Sequence, residues 1–424
     1  MRTFSVVCAW VISGLAASLL HAETPWPCFR GMDSGKSDAK GLPLSWSETE
    51  NIVWKTEIPG IGHSSPVVAD NQIWLTTSPD KGVTRHLLRI DFVTGKILND
   101  YTLFTYPKAT NEICHQMNSH ATPTPIIDGH KIYVAFGNPG IACLDTKTGE
   151  KIWERHDITN NYHDVGVAAT PIMAGDKFIV INDGHTNALH YVMAMDKNTG
   201  KTLWRTDRVY PTNHPKPYMT HAFCPPLVMT VNNKQQLISP SAHGARSYDL
   251  ETGKELWYSY FKGWSVVPQP VQFGNLDIIC NGVVGERQIL AVHADRASGD
   301  ITGTDAIAWR VEKQIPDMAS PVLVGNRLYA MSPTVLSCID PQDGKVIWTG
   351  KITGQHIASP IVADGYLYLF NRKGGSTVVK LGDTFAVAAT NALAEGCSAT
   401  PAIYGKSLIV RTENHLYRIE KKTP

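Results

Sequence analysis

The chain has 424 residues, 43% of them hydrophobic and 18% charged, with a formal net charge of +1. That composition supplies ample core for a globular fold. It leaves no strongly basic face, which excludes the simplest nucleic-acid-binding reading.

At the start of the chain, Arg2 precedes the apolar run FSVVCAWVISGLAASLL at 4–20, which leads to the small residue Ala22. A short positive start, a hydrophobic run and a small residue predict a secretory signal peptide over 1–22, cleaved after Ala22. No later run of 18 uncharged apolar residues exists, so no membrane span is expected in the mature chain. Removing the signal leaves Cys28, Cys114, Cys143, Cys224, Cys280, Cys338 and Cys397. An odd number in an exported chain implies at least one thiol outside any intramolecular disulfide. Cys143 and Cys338 share a repeat position with Ala194 and Ser247, which marks them as small packed residues. Residues 23–50, with the aromatic and proline-rich PWPCFRG at 25–31, are expected to form an irregular arm packed on the main body of the chain.

From residue 51 onward the chain repeats itself. A proline, a few apolar residues, a polar turn and an apolar strand recur eight times, from SSPVVADNQIWL at 64–75 to ATPAIYGKSLIV at 399–410. Pro66 to Pro401 sets a period of about 48 residues, the length of a four-stranded propeller blade. The period replaces the two or three domains that length alone suggests with one, over 51–424. Each proline suits the first position of a strand, having no N–H to give. The residues before it are small, as crowding near an axis requires.

A second motif closes most units: CLDTKTGEKIW, AMDKNTGKTLW, SYDLETGKELW and CIDPQDGKVIW. Asp145, Asp196, Asp249 and Asp340 are expected to hold hairpin turns. Gly149, Gly200, Gly253 and Gly344 supply the positive φ of those turns. Trp153, Trp204, Trp257 and Trp348 are expected to pack on the neighbouring blade, so the motif is structural docking rather than chemistry. Blade one breaks the pattern with Asn99 in place of Trp, blade five stretches its turn before Trp309, and blade seven lacks the set. The eighth unit ends one strand short. NIVWKTEI at 51–58, carrying Trp54, is expected to supply that strand and close the ring. The prediction is an all-β, eight-bladed propeller of four-stranded antiparallel blades.

Insertions at 105–121, 155–168 and 206–223 connect last strands to first strands, and propeller topology puts them on one face at the mouth of the channel. They are rich in histidine. His63, His115, His120, His163, His221 and His356 form the candidate ligand or partner face, with His156 and His214 in the same insertions. No pair has tight metal spacing, so no metal is expected. There is no G-x-S-x-G, H-E-x-x-H or C-x-x-C-H. TGKT at 199–202 is a hairpin turn, since Met195 stands where a nucleotide loop needs its first glycine.

The D-x-x-x-G-x-x-x-W hairpins resemble the tryptophan docking motif of PQQ-repeat β-propellers, a group that includes quinoprotein alcohol dehydrogenases and BamB. WPCFRG, GWSVVPQP at 263–270 and ENHLYRIE at 413–420 are similar to exported PQQ-like propellers of planctomycete-type bacteria. The resemblance covers 25–420 and implies the fold. Quinoprotein dehydrogenases use an adjacent cysteine pair and a calcium held by carboxylate and amide side chains beside a catalytic Asp. This chain has no Cys–Cys and no position that takes that Asp. The expected function is therefore an exported, periplasmic or extracellular scaffold or binding module for protein or cell-envelope components, monomeric, without catalysis or nucleic-acid binding. The alternative is a PQQ-dependent oxidoreductase of alcohols or sugars with calcium, which the missing residues disfavour. A hydrolase or lyase site at the channel mouth ranks third.

Overall fold

The computed structural model describes residues 23–107, 114–158, 166–184, 190–209 and 220–422. The signal segment predicted over 1–22 lies outside these. Among the described residues, eight antiparallel sheets account for nearly all regular structure. Seven have four strands, and one carries a fifth. They succeed one another along the chain as blades 1 to 8, and their first strands are Val67–Ala69, Ile126–Asp128, Ile172–Ala174, Leu227–Val231, Val271–Phe273, Val322–Val324, Ile361–Ala363 and Ala402–Tyr404. The all-β, eight-bladed fold read from the repeat is the fold observed.

Closure works as the sequence predicts. Blade 8 contributes Ala402–Tyr404, Ser407–Arg411 and His415–Glu420, and Ile52–Glu57 pairs antiparallel with the last of these to complete four strands. The first and last segments of the ring thus share one sheet. Arg411 adds a second seam. Its buried guanidinium crosses to blade 1 and donates through Nη1 to the Ser64 carbonyl at 3.2 Å, the Ser64 hydroxyl at 2.9 Å and the Thr76 carbonyl at 2.8 Å.

Apolar side chains of the second and third strands fill the interfaces between blades, giving a chain of clusters around the ring rather than one central core. The cluster joining blades 7, 8 and 1 also takes in Trp26, Leu42 and Trp46 from the arm. The register of these strands exposes one exception. Opposite the first strand, seven blades place Ile73, Ile132, Phe178, Leu237, Leu328, Leu367 and Leu408 at one equivalent position. Blade 5 places Asp277 there, fully buried.

The first part of the arm, 26–36, runs along the inner edges of the first strands, and its last part, 44–50, reaches Asn391 on the outer strand of blade 7 and Tyr417 of blade 8. Trp26 bridges Val68 of blade 1, the Pro27 carbonyl accepts from Ile127 of blade 2, Arg30 donates to the Pro321 carbonyl of blade 6, and Lys36 bridges Val362 of blade 7. A segment touching blades 1, 2, 6 and 7 in turn crosses the axis, so it plugs the channel from one end.

Candidate functional site

Where the first strands begin near the axis, most blades carry a small hydroxyl side chain. The backbone N–H of Ser65 donates to Thr124 Oγ1 and that of Thr124 to Thr170 Oγ1, both at 3.1 Å. The N–H groups of Gln269, Ser320 and Ser359 donate to Ser320 Oγ, Ser359 Oγ and Thr400 Oγ1 at 2.9 Å each. Each bond joins one blade to the next at the axis. Beyond sparing space near the axis, these residues bond blade to blade, and the Ser or Thr at six of the positions is the sequence signal of that role.

Above this ring a cavity of about 390 Å³ opens toward the loop face. Ser65, Thr124, Thr170, Ser320, Ser359 and Thr400 line its inner end, and Phe29 of the arm closes the end that the channel would otherwise leave open. Its walls come from the connections between blades: Met117 and Asn118 before blade 2, Phe223 before blade 4, Trp264 and Val267 before blade 5, Met318 and Ile357 before blades 6 and 7. Trp264 is fixed by a short two-stranded ladder, Gly263–Trp264 with Val284–Gly285, which also brings Val284 to the wall. Phe29 and Trp264 belong to no repeat position, and nothing in their spacing announced them.

Of the predicted histidine face, His63, His115 and His221 line the cavity. His120 does not: its Nδ1 lies 3.4 Å from Arg85 Nη2, and its ring packs on Gly82. His356 is 4% exposed, with Nδ1 3.2 Å from the Pro333 carbonyl, and only its neighbour Ile357 reaches the cavity. His156 turns to the Pro139 carbonyl at 3.0 Å and edges onto Phe104. His163 and His214 lie outside the described residues. The face therefore gathers three imidazoles rather than a ring of them, because the other described histidines are consumed by local carbonyls and an arginine. Burial, then Arg411 and Arg372, pull the His63 imidazole down to about 4, so it is neutral at pH 7. Among the described residues no three of His, Cys, Asp and Glu lie close enough to hold a metal ion.

The repeated Asp, Gly and Trp residues lie far out on the blades. Trp153, Trp204 and Trp348 donate their indole N–H to the carbonyls of Lys197, Leu250 and Gly382 in the next blade, at 2.9, 3.0 and 3.0 Å. Trp54 does the same across the closure to Phe92 at 2.9 Å. A Cβ on Gly200 or Gly253 would meet the preceding blade's indole at 2.8 or 2.4 Å, and both sit at positive φ, +71° and +72°. Asp145, Asp196, Asp249 and Asp340 accept N–H bonds within their own turns. Gly149 packs under Tyr101, and Gly344 under Trp309. Trp257 differs: it is fully buried, its indole nitrogen has no partner among the described residues, and Gly299–Asp300 from the stretched turn of blade 5 pairs parallel with its strand.

Three comparisons bear on this architecture. The family model described as outer membrane protein assembly factor BamB matches residues 38–184 and 248–384. Quinohemoprotein alcohol dehydrogenase ADH IIB of Pseudomonas putida is 26% identical over 202 residues, 46% of this chain and 27% of that enzyme. The chain thus spans about a quarter of the length of the curated relative it matches. Among solved structures, BamB from Moraxella catarrhalis superposes with a TM-score of 0.59 at 12% identity, covering 88% of this chain and 98% of that one. Quinohemoprotein alcohol dehydrogenase from Comamonas testosteroni superposes at 0.61 with 11% identity, covering 95% and 81%. At these identities the structural likeness establishes the fold alone.

Proposed function

The chain belongs to the family described as outer membrane protein assembly factor BamB, and from that premise we propose that it is a binding scaffold for protein or cell-envelope partners, without catalysis of its own. It works as an exported monomer, in the periplasm or outside the cell. The carrying observation is the composition of the cavity: its described lining is hydroxyl, imidazole, amide and apolar, with no carboxylate and no cationic side chain. General acid–base chemistry at a glycosidic, ester or alcohol centre asks for a carboxylate or a histidine held by one. The lining brings no Asp or Glu into the cavity beside His63 and His115. Connections between blades form a broad rim around the cavity, the kind of loop surface that engages partners. No helix among the described residues is long and apolar enough to cross a membrane.

The PQQ-dependent oxidoreductase reading draws on the similarity to the quinohemoprotein dehydrogenase. The residues present do not fit that group. Calcium takes several oxygen ligands, mostly carboxylates, and the described lining offers one amide, Asn118, and neutral hydroxyls. No adjacent cysteine pair exists in the chain to meet a quinone.

The scaffold reading is tested by affinity capture from envelope extract. The immobilised chain should retain a defined partner set, and the double variant His63→Ala, His115→Ala should lose it while remaining folded at the capture temperature. Undiminished capture by that variant would place partner binding away from the loop face.

A further inference from the structure

The hydroxyl ring has spare donors. Thr124, Thr170, Ser320, Ser359 and Thr400 each accept a backbone N–H. A hydroxyl also carries one hydrogen of its own, and none of these five meets an acceptor among the described residues. Five O–H donors therefore converge on one cavity. Beneath them lies Arg30, next to Phe29 and 0% exposed. Its Nη2 donates to the carbonyl of Pro321, the residue after Ser320, at 2.5 Å, while Nε and Nη1 have no partner among the described residues. Burial lowers this guanidinium to about 9, which leaves it charged at pH 7. Cys280 is the group whose charge would favour it, and burial pushes that thiol up to about 12, so it is neutral.

Two more cations lie near the pocket, Arg411 buried in the seam of blades 8 and 1 and Arg372 at the rim, both close enough to His63 to depress it. The described acids nearby are already engaged: Asp317 by Arg287, Asp183 by Arg208, and Glu395 by Thr412 and His415. A buried cation with no counter-charge is costly in a low-dielectric interior. Directional O–H donors over that cation reduce the cost most when an oxyanion completes the set. The walls above, Phe223, Trp264, Val267 and Val284, suit an apolar body.

We propose that the axial pocket is a receptor for a small organic oxyanion, a carboxylate or sulfonate on an apolar body, bound charge-inward on the hydroxyl ring above Arg30. This goes beyond the scaffold reading and stands or falls apart from it, since it concerns a small ligand and needs no partner protein. The test uses the full chain and two fluorescent probes with the same apolar body, anionic 8-anilinonaphthalene-1-sulfonate and uncharged N-phenyl-1-naphthylamine. The anionic probe should bind about tenfold tighter than the neutral one, the ratio that a charge-assisted contact supplies. Energy transfer from Trp264 should report it in the pocket and fall in Trp264→Phe. Arg30→Met should weaken the anionic probe by about fivefold or more and leave the neutral probe unchanged. Where Arg30→Met does not fold, Arg372→Gln at the rim should give a smaller loss in the same direction. EDTA should change nothing. Equal affinity for the two probes, an Arg variant without effect, energy transfer undiminished by Trp264→Phe, or binding abolished by EDTA would each overturn the proposal.

Discussion

Asp277 occupies a place that seven sister blades give to Ile, Leu or Phe, and both of its carboxyl oxygens are buried without a partner among the described residues. Burial raises its pKa well above the ordinary carboxylate range. The unfolded chain therefore releases this proton first, so stability falls as pH rises past the unfolded value of about 3.9. Asp277→Leu should raise stability at pH 7 by about 2 kcal/mol, with the gain shrinking toward pH 4; urea unfolding at both pH values would show it, and a less stable variant at pH 7 would refute it. His63 and His190 act with the opposite sign. Burial first, then nearby arginines, lower both to about 4. Their contribution is complete above the unfolded value of about 6.5 and is lost as pH falls through about 4. Below pH 6.5 the melting temperature of the wild-type chain should drop, and a His63→Gln, His190→Gln variant should drop less. The docking residues separate in the same way. Trp204, bonded to Leu250 and seated on Gly253, should cost about 3–5 kcal/mol when replaced by Ala. Trp257→Phe loses no hydrogen bond and should cost less than about 1.5 kcal/mol, a volume-tolerant swap.

At the scale of elements, the blades were legible because each repeats a proline-led first strand and most add an Asp–Gly–Trp hairpin, and period and turn chemistry are local. The irregular places were not. Blade 1 lacks the Trp at Asn99, and the structure fills the site with Tyr101, two residues later on the same face of its strand, packed over Gly149. Blade 7 lacks it too, and there the arm supplies Trp46, which stacks on Phe370 at 5.7 Å and Tyr368 at 6.4 Å. Residues from outside a repeat can complete it, and no spacing rule records that. Trp46→Ala should lower stability by about 3 kcal/mol, as other buried large-to-small changes do, measured by urea unfolding; a loss under about 1 kcal/mol would mean that the arm packs without bracing the blade. The candidate site was half legible. His63, His115 and His221 converge because propeller topology puts their connections on one face. The hydroxyl ring, Phe29 and Arg30 escaped because their meaning depends on contacts between blades that lie far apart in sequence.

For the whole molecule, the ring is held by repeated docking and sealed by Ile52–Glu57 and Arg411. Deleting 51–58 would expose the edge of blade 8 and should lower the melting temperature sharply; an unchanged melting curve would contradict closure by this strand. Sealed in this way, and with the arm across one end, the axis becomes a blind pocket whose described lining has hydrogen-bond donors and apolar walls but no carboxylate. A cavity of that kind can hold a ligand, and the rim around it can hold a partner, which is what the scaffold reading asks of it. The most direct test is to supply the purified chain with PQQ and calcium and monitor dye reduction with alcohols and sugars. The account predicts no turnover above the protein-free control, and turnover that EDTA abolishes would contradict it.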